Sequence, residues 1–122
     1  MITLRRVQDP LQTPYAKRFL IERLWPRDAT GAALRFEGWL KDLAPSPELC
    51  RWFGDDCSKW QEFRRRYFSE LDARPEAWRM LLEAARYSVV ELLYSSGDAT
   101  HNNAVALKEY LEAKLAGMAQ PV

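Results

Sequence analysis

The clearest β-strand signal in this 122-residue chain is the segment Val89-Val90-Glu91-Leu92-Leu93-Tyr94. All of its side chains except Glu91 are apolar or aromatic, which is the pattern of a strand covered on both faces of a sheet. Such strands belong to parallel sheets whose faces carry helices. The segment therefore predicts an α/β domain built around a parallel sheet.

A polar turn follows this strand and leads into the last helix. It reads Ser95-Ser96-Gly97-Asp98-Ala99-Thr100-His101-Asn102-Asn103, and Gly97 permits a tight backbone path. The leucine spacing predicts a helix from about residue 101 to residue 115. We expect Asp98 or Thr100 to cap that helix, because both residue types are favoured at helix starts.

Four further helices are predicted upstream of the strand. Residues 36–43 carry apolar side chains at helical spacing. Ser46-Pro47-Glu48 combines a capping hydroxyl, a first-turn proline and a first-turn acid, and Gly54 is expected to end that helix. Ser58-Lys59-Trp60-Gln61 has the pattern of a capping box, and Pro75 is another first-turn proline.

Two further strands are predicted near the start of the chain, at residues 2–7 and 17–25. Pro26 should end the second strand, because proline cannot donate to a sheet ladder. Their connection is short for a parallel crossover, so the orientation of this pair stays open. The resulting order predicts one domain over residues 1–122, with a largely parallel three-stranded sheet flanked by about five helices.

The composition supports a packed domain and excludes several function classes. Hydrophobic residues make up 48% of the chain, and a net charge of +1 gives no general attraction to nucleic acid or to an anionic membrane. No apolar run approaches the roughly 20 residues that a membrane-spanning helix needs. Two cysteines are too few for a secreted disulfide framework, so the expected location is the cytoplasm.

The strand ends carry the expected binding site. The long helical connection before the last strand makes it parallel to the second, so Arg23-Leu24-Trp25-Pro26-Arg27 and the turn at 95–103 should share the carboxyl edge of the sheet. Free amides at a helix start and two arginines favour a small anionic or phosphorylated ligand. The expected ligand contacts are Arg23, Trp25, Arg27, Ser95, Ser96, Asn102 and Asn103.

His101 is the only histidine, and it gives the site its candidate chemistry. A helix N-terminus favours neutral imidazole, which can accept or donate a proton, while Asp98 would order the turn. If the domain is an enzyme, His101 and Asp98 are the candidate catalytic residues. Otherwise Arg23 and Arg27 form ion pairs that join the loops, and the domain is a non-catalytic interaction or regulatory module.

Two other signals are weaker. The Arg64-Arg65-Arg66 run suggests nucleic-acid binding, but Glu62 and Glu70 offset its charge at helical spacing, so this function is disfavoured. Cys50 and Cys57 lack the close pairing of zinc ligands, and the sequence contains no phosphate loop or dinucleotide fingerprint. We therefore expect no metal and no cofactor.

Five ordered blocks also carry a family resemblance. They are Arg23-Leu24-Trp25-Pro26-Arg27, Trp39-Leu40-Lys41-Asp42-Leu43-Ala44-Pro45-Ser46, Arg51-Trp52-Phe53-Gly54, Phe63-Arg64-Arg65-Arg66-Tyr67, and Leu92-Leu93-Tyr94 with Asp98 and His101-Asn102. Together these blocks resemble the bacterial domain-of-unknown-function family 488, in its short YeaO-like branch, over nearly the whole chain.

The resemblance implies a small cytosolic α/β domain whose signature residues lie at the two strand ends, in a family without an established activity. The motif positions fall on Arg23, Trp25, Pro26, Arg27, Trp39, Lys41, Asp98, His101 and Asn102. Glu22, Asp28, Asp55 and Gly97 stand where relatives commonly have Asp, Gly, His and Lys. A mechanism that needs that histidine or lysine is therefore not supported.

The longer branch of the family is distantly similar to rhodanese-like domains, which carry a nucleophilic cysteine after a strand. The matching turn here has Ser95 and Ser96 and no cysteine. Sulfur transfer by that route is therefore disfavoured.

Overall fold

The computed structural model describes residues 1–10, 15–24 and 37–118 of the chain. This part contains four strands and four α-helices: β1 (Ile2–Arg6), β2 (Lys17–Leu20), β3 (Gly38–Trp39), α1 (Pro47–Phe53), α2 (Trp60–Asp72), α3 (Pro75–Tyr87), β4 (Val90–Tyr94) and α4 (Asn103–Ala116). Two short 3-10 helices, Lys41–Leu43 and Cys57–Lys59, precede α1 and α2. The α/β class and the parallel sheet are confirmed, with four strands in place of three and four α-helices in place of about five.

The sheet has the order β1-β4-β2-β3, and every pairing in it is parallel. All five residues of β4 are buried, as its apolar sequence predicts. Its one charged side chain, Glu91, is 3% exposed and is balanced from both neighbouring strands. The Nε atoms of Arg5 and Arg18 lie 3.0 and 3.2 Å from Glu91 Oε1.

The orientation of β1 and β2, which the sequence leaves open, is resolved by β4. Both strands pair in parallel with β4, which lies between them, so they run in the same direction without touching as neighbours. The link from residue 7 to residue 16 contains no helix in its described part. This short link is enough to connect the parallel strands β1 and β2, although parallel strands are usually connected by a helical crossover.

The prediction of a helix over residues 36–43 is wrong. Gly38 and Trp39 form β3 beside β2, and a 3-10 helix follows at Lys41–Leu43. Glycine weakens a helix, and hydrogen bonds to β2 and to the segment after it hold these residues at the sheet edge. The Leu40 amide donates to the Leu20 carbonyl at 2.8 Å, and the Trp39 indole donates to the Glu22 carbonyl at 2.6 Å.

Strand β2 is also shorter than predicted. It ends at Leu20, and Ile21 keeps one further bond to the Leu93 carbonyl at 3.3 Å. The predicted end of the strand, Trp25-Pro26, lies outside the described residues.

The start of α1 confirms the predicted signals. The Ser46 hydroxyl accepts a hydrogen bond from the Leu49 amide at 3.1 Å, and Pro47 occupies the first helical position. Gly54 ends the helix in the left-handed region, with φ of 52°. Asp55 follows with φ of 59°, a conformation that aspartate tolerates better than most residues.

Two predicted caps are wrong. Ser58 does not cap α2; Asp56 accepts the Ser58 amide at 3.0 Å and caps the 3-10 helix, and α2 then begins at Trp60 without a side-chain cap. Asn102 caps α4 by accepting the Val105 amide at 3.0 Å. Asp98 and Thr100 instead bond to each other within the turn before it.

The hydrophobic core lies between the sheet and the helices. Its largest buried side chains include Phe19, Phe53, Phe63, Tyr67, Leu71, Leu81, Leu92, Leu107 and Leu111. Tyr67 is fully buried, and its hydroxyl donates to the Leu43 carbonyl. In the described ranges, no helix combines the length and apolar character that crossing a bilayer requires.

Candidate functional site

A cleft of about 680 Å³ opens at the carboxyl edge of the sheet. The segments that follow β2 and β4 and the starts of α1 and α4 surround it. Its described lining includes Glu22, Arg23, Leu24, Pro45, Pro47, Cys50, Arg51, Phe53, Asp55, Phe63, Ser95, Ser96, Gly97, His101, Asn102 and Asn103. This is where ligands bind in sheets of this type.

The structure brings most of the predicted site residues together. Six of them line this cleft: Arg23, Ser95, Ser96, His101, Asn102 and Asn103. Asp98 lies in the turn beside the cleft and contacts His101. Trp25 and Arg27 lie outside the described residues.

Glu22 is a cleft residue that was not among the predicted site residues. Its Oε1 accepts the Ser95 amide at 3.0 Å. Burial raises the pKa of Glu22 above its ordinary value, although hydrogen bonds from Ser95 and Asn103 partly offset this effect. The available signals were its position directly before Arg23 at a strand end and the acidic residue, Asp, that relatives commonly have there.

Arg23 has an unusual environment. Its Nη2 donates to the carbonyls of Ala44 and Pro45 at 3.3 and 3.5 Å. Its Nε is buried and has no hydrogen-bond partner. Among the described residues Arg23 forms no ion pair, so the alternative in which it joins the loops through Glu22 or Asp98 is not seen there. Asp28, another carboxylate that could pair with it, lies outside the described residues.

The two asparagines hold the cleft wall in place. Asn102 is 3% exposed; its Oδ1 caps α4, and its Nδ2 donates to the Asp98 carbonyl at 2.7 Å. Asn103 Nδ2 donates to the Ile21 carbonyl at 3.1 Å and so joins α4 to the end of β2. Both side chains therefore serve the fold first, with only part of their surface facing the cleft.

Asp98 and His101 are held in one compact turn. Asp98 Oδ1 accepts from the Thr100 amide, the Thr100 hydroxyl and the His101 amide at 2.9, 2.9 and 3.0 Å. These bonds, chiefly those from Thr100, hold the pKa of Asp98 well below its ordinary value. The His101 ring lies edge-on to Trp60, with ring centroids 5.2 Å apart.

Cys57 joins this turn from a distant part of the chain. Its Sγ lies 3.4 Å from Asp98 Oδ2, across 41 residues of sequence. The bond to Asp98 raises the pKa of the Cys57 thiol. No spacing rule links residues so far apart, so the sequence could not place Cys57 beside His101.

Neither described thiol is activated as a nucleophile. Burial, together with the charges of Glu22 and Glu70, raises the pKa of Cys50, which lines the cleft. A reactive cysteine needs the opposite shift, toward thiolate at neutral pH. A Cys–His nucleophile is therefore disfavoured at this site.

The arginine run on α2 is paired with carboxylates. Arg65 and Arg66 lie 2.5 and 2.8 Å from Glu62, whose pKa their bonds lower to about 2. Arg64 pairs with Glu109 on α4. Glu62 offsets the run as expected, whereas Glu70, the other expected partner, instead accepts hydrogen bonds from Ser46.

The fold and cleft define a class: a small α/β domain with a parallel sheet and a mixed polar and apolar cleft at its carboxyl edge. Comparison with known proteins then gives the family. The chain belongs to the DUF488 family, since the model described as "Inactive DUF488-N3 subclade" matches residues 1–121. The predicted resemblance to the YeaO-like branch is confirmed by its relatives.

The chain is similar to curated proteins that are themselves uncharacterised. It is 32% identical over 112 residues to the uncharacterized protein YeaO of Escherichia coli (strain K12). The aligned residues make up 92% of this chain and 97% of YeaO. It is 33% identical over 70 residues to the uncharacterized proteins Mb3100c of Mycobacterium bovis and Rv3073c of Mycobacterium tuberculosis, covering 57% of this chain and 59% of each. No solved structure matches the chain.

Proposed function

We propose that this domain binds a small anionic molecule in the cleft at the carboxyl edge of its sheet and that it does so without catalysing a reaction. The observation that carries the proposal is made on Arg23, a residue of the cleft lining whose Nε is buried without a hydrogen-bond partner. A buried donor without a partner costs about 1–3 kcal/mol, and more when it is charged. A carboxylate or phosphate oxygen is the strongest available partner for a guanidinium group.

The shape of the cleft supports a small organic ligand. Its volume of about 680 Å³ falls within the range that small-molecule sites occupy. Leu24, Pro45, Pro47, Phe53 and Phe63 give it an apolar wall beside the polar strand ends. The ligand class that fits is an anionic head group on an apolar body.

The charges of the cleft favour its arginine side for the anionic head group of the ligand. Arg23 and the exposed Arg51 both line the cleft, and His101 lies in the same lining. Glu22 already accepts the Ser95 amide, so that strand end is occupied by a carboxyl group of the protein itself. In our proposal Arg23 and Arg51 hold the anion, and Glu22 accepts a hydroxyl or amine donor of the ligand.

Three observations favour binding over catalysis. The matching family model is described as inactive. The pKa of Cys50, the thiol in the cleft, is raised by burial. His101 Nδ1 is engaged by Thr100 and Asp98 at 2.8 and 3.3 Å, so that nitrogen faces the turn. In this proposal His101 is a wall of the cleft, and Asp98 orders the turn.

The proposal also includes three predictions from the sequence: two further ligand contacts, a single domain and the location of the protein. Trp25 and Arg27 follow Arg23 in sequence and stay predicted ligand contacts. We propose one domain over the whole chain, since the core draws on β1, β2, β4 and all four helices. We propose the cytoplasm as its location, because Cys50 and Cys57 are both free thiols.

Calorimetry with a defined ligand panel tests this proposal. The panel contains phenyl phosphate, benzoate, octanoate, inorganic phosphate and, as the neutral match, benzyl alcohol. We expect an organic anion to bind wild type and benzyl alcohol not to bind. Arg23→Gln should weaken that binding by at least about tenfold, since a charged hydrogen bond contributes about 1.5–3 kcal/mol.

Arg79→Gln is the matched control, because Arg79 is an exposed arginine on α3 away from the cleft. Arg51→Gln is a second cleft variant that keeps the backbone bonds of Arg23 intact. The proposal fails if no panel anion binds wild type, or if Arg23→Gln and Arg51→Gln both bind as Arg79→Gln does. A domain that only docks to other macromolecules would give that result.

A further inference from the structure

We propose that Cys57, Asp98 and His101 form a binding site for a divalent metal ion of the zinc type, beside the cleft. One ligand atom from each residue lies within 4.8 Å of the other two. The cluster joins the 3-10 helix before α2 to the turn before α4, so its three ligands come from two separate elements. Arg23 takes no part in it, and the inference does not depend on the proposed anion ligand.

The two oxygens of Asp98 have separate tasks. Oδ1 accepts three hydrogen bonds, from the Thr100 amide, the Thr100 hydroxyl and the His101 amide. Oδ2 faces the Cys57 thiol and the His101 ring nitrogen Nδ1, at 3.4 and 3.3 Å. One oxygen is thus fixed by the turn, and the other faces the two remaining ligands. The Thr100 hydroxyl also lies 2.8 Å from His101 Nδ1, and metal binding would replace that contact while Thr100 keeps its bond to Asp98 Oδ1.

The distances match a tetrahedral ion. With zinc bonds of about 2.0–2.3 Å, neighbouring ligand atoms of a tetrahedron lie about 3.3–3.8 Å apart. The separations of Oδ2 from Sγ and from Nδ1 fall within that interval. The ligand atoms of the three residues all lie within 4.8 Å of one another, and the exposed Cys57 side chain has room to rotate toward the ion.

Surrounding groups hold the ligands in place, as is usual around metal sites. Asp56 accepts the Ser58 amide and hydroxyl at 3.0 and 2.7 Å and so orders the turn that carries Cys57. Thr100 anchors Asp98, and the Trp60 ring supports the His101 ring edge-on. Both ligand-bearing turns are therefore ordered before any ion binds.

The ligand set selects the metal class. A thiolate, an imidazole and a carboxylate suit Zn²⁺, or Co²⁺ as its spectroscopic substitute. Mg²⁺ and Ca²⁺ prefer sets made only of oxygen ligands, so they should not compete. Three protein ligands leave one tetrahedral position for water. Binding transfers the Cys57 thiol proton to solvent, since the thiolate is the ligand.

A cobalt titration of the full, tag-free chain tests the site. We expect one equivalent of Co²⁺ to produce a thiolate-to-cobalt charge-transfer absorption, which Zn²⁺ then displaces and Mg²⁺ does not. Cys57→Ser should remove this absorption, and calorimetry should show Zn²⁺ binding weakened by at least about tenfold, the lower end of the effect of even second-sphere changes. His101→Gln should weaken Zn²⁺ binding similarly, with circular dichroism confirming that it folds.

Cys50→Ser is the matched control, because it removes the other thiol, which lies outside the cluster. It should keep the wild-type absorption, and so should Arg23→Gln, which separates this test from that of the anion cleft. The proposal is overturned if wild type gives no thiolate absorption with Co²⁺, or if the absorption survives in Cys57→Ser. An equal loss in Cys50→Ser would overturn it as well.

Discussion

Glu22 gives the cleft a pH-dependent component of stability. Burial raises the pKa of the Glu22 carboxyl above its ordinary value of 4.5, which applies in the unfolded chain. The folded chain therefore binds the carboxyl proton more tightly than the unfolded chain. Stability from this group is therefore present below pH 4.5 and is lost as the pH rises through the folded pKa. At neutral pH the buried, ionised carboxylate is a net cost.

Glu22→Gln should accordingly raise the thermal midpoint at pH 7 and leave it unchanged near pH 4. The amide keeps an oxygen that accepts the Ser95 proton but carries no charge to desolvate. Calorimetric melting across this pH range measures the difference. Glu112→Gln, an exposed change on α4, is the control and should show no such pH-dependent gap. A lower midpoint for Glu22→Gln at pH 7 would contradict the assignment.

Asp98 acts in the opposite direction. Its turn bonds lower its pKa, so its contribution to stability is present above the unfolded value of about 3.8 and is lost as the pH falls through the folded pKa. Asp98→Ala should lower the thermal midpoint at pH 7, and the gap to wild type should narrow as the pH falls from 3.8 through the folded pKa. Asp9→Ala, in the exposed segment after β1, is the control. A gap that stays constant with pH would show that the charge is not involved.

For single residues, the sequence predicts which side chains of the polar turn reach the cleft, but it does not predict which distant residues contact that turn. Arg23, Ser95 and His101 are predicted to meet at one edge, and the structure places all three in one cleft lining. Glu22 and Cys57 escape prediction because their roles depend on tertiary contacts, with Ser95 and Asp98 respectively. Local spacing carries no information about contacts between such distant residues.

At the element scale, the start of α1 depends on Ser46. Its hydroxyl accepts the Leu49 amide and donates to Glu70 Oε2 at 2.6 Å. Ser46→Ala removes both bonds and should lower the free energy of unfolding by about 1–2 kcal/mol. Urea denaturation measures this loss. Ser69→Ala, an exposed serine on α2, should change it by less than about 0.5 kcal/mol; equal losses in the two variants would contradict the capping role.

The sheet depends on the buried charge of β4. Glu91 is buried and contacts Arg5 from β1 and Arg18 from β2. Glu91→Ala leaves those arginines without their carboxylate, and breaking such a buried pair costs about 3–5 kcal/mol. The same urea measurement detects it. Glu83→Ala, which breaks the more exposed pair with Arg86, should cost less than about 1 kcal/mol. A loss at Glu91 no larger than at Glu83 would contradict this account.

Elements with strong local signals are those that the sequence predicts well. Strand β4 has a continuous apolar run, and α1 has a cap, a first-turn proline and a terminal glycine. Residues 36–43 mislead because their apolar spacing suits a helix, whereas Gly38 and Trp39 gain more by pairing with β2. A strand of two residues has no periodicity of its own that a sequence pattern could reveal.

At the scale of the whole molecule, the strand order creates the cleft. Because β4 enters the sheet between β1 and β2, the segments after β2 and β4 leave the same edge as neighbours. The sequence predicts the shared edge from the long crossover but not the order of the strands, since no local signal records which strands become neighbours. The site could therefore be predicted in outline, and its walls from α1 and α2 could not.

Anion binding by Arg23 is tested most directly by its Nε–H resonance in a nitrogen–proton NMR spectrum, assigned with Arg23→Lys and followed as phenyl phosphate is added. We expect this resonance to move downfield and to saturate together with the backbone amides of Ser96, Gly97 and Asn103, while amides on α3 stay in place. An Arg23 resonance that stays fixed at ligand saturation, or shifts confined to α3 or another distant surface, would contradict it.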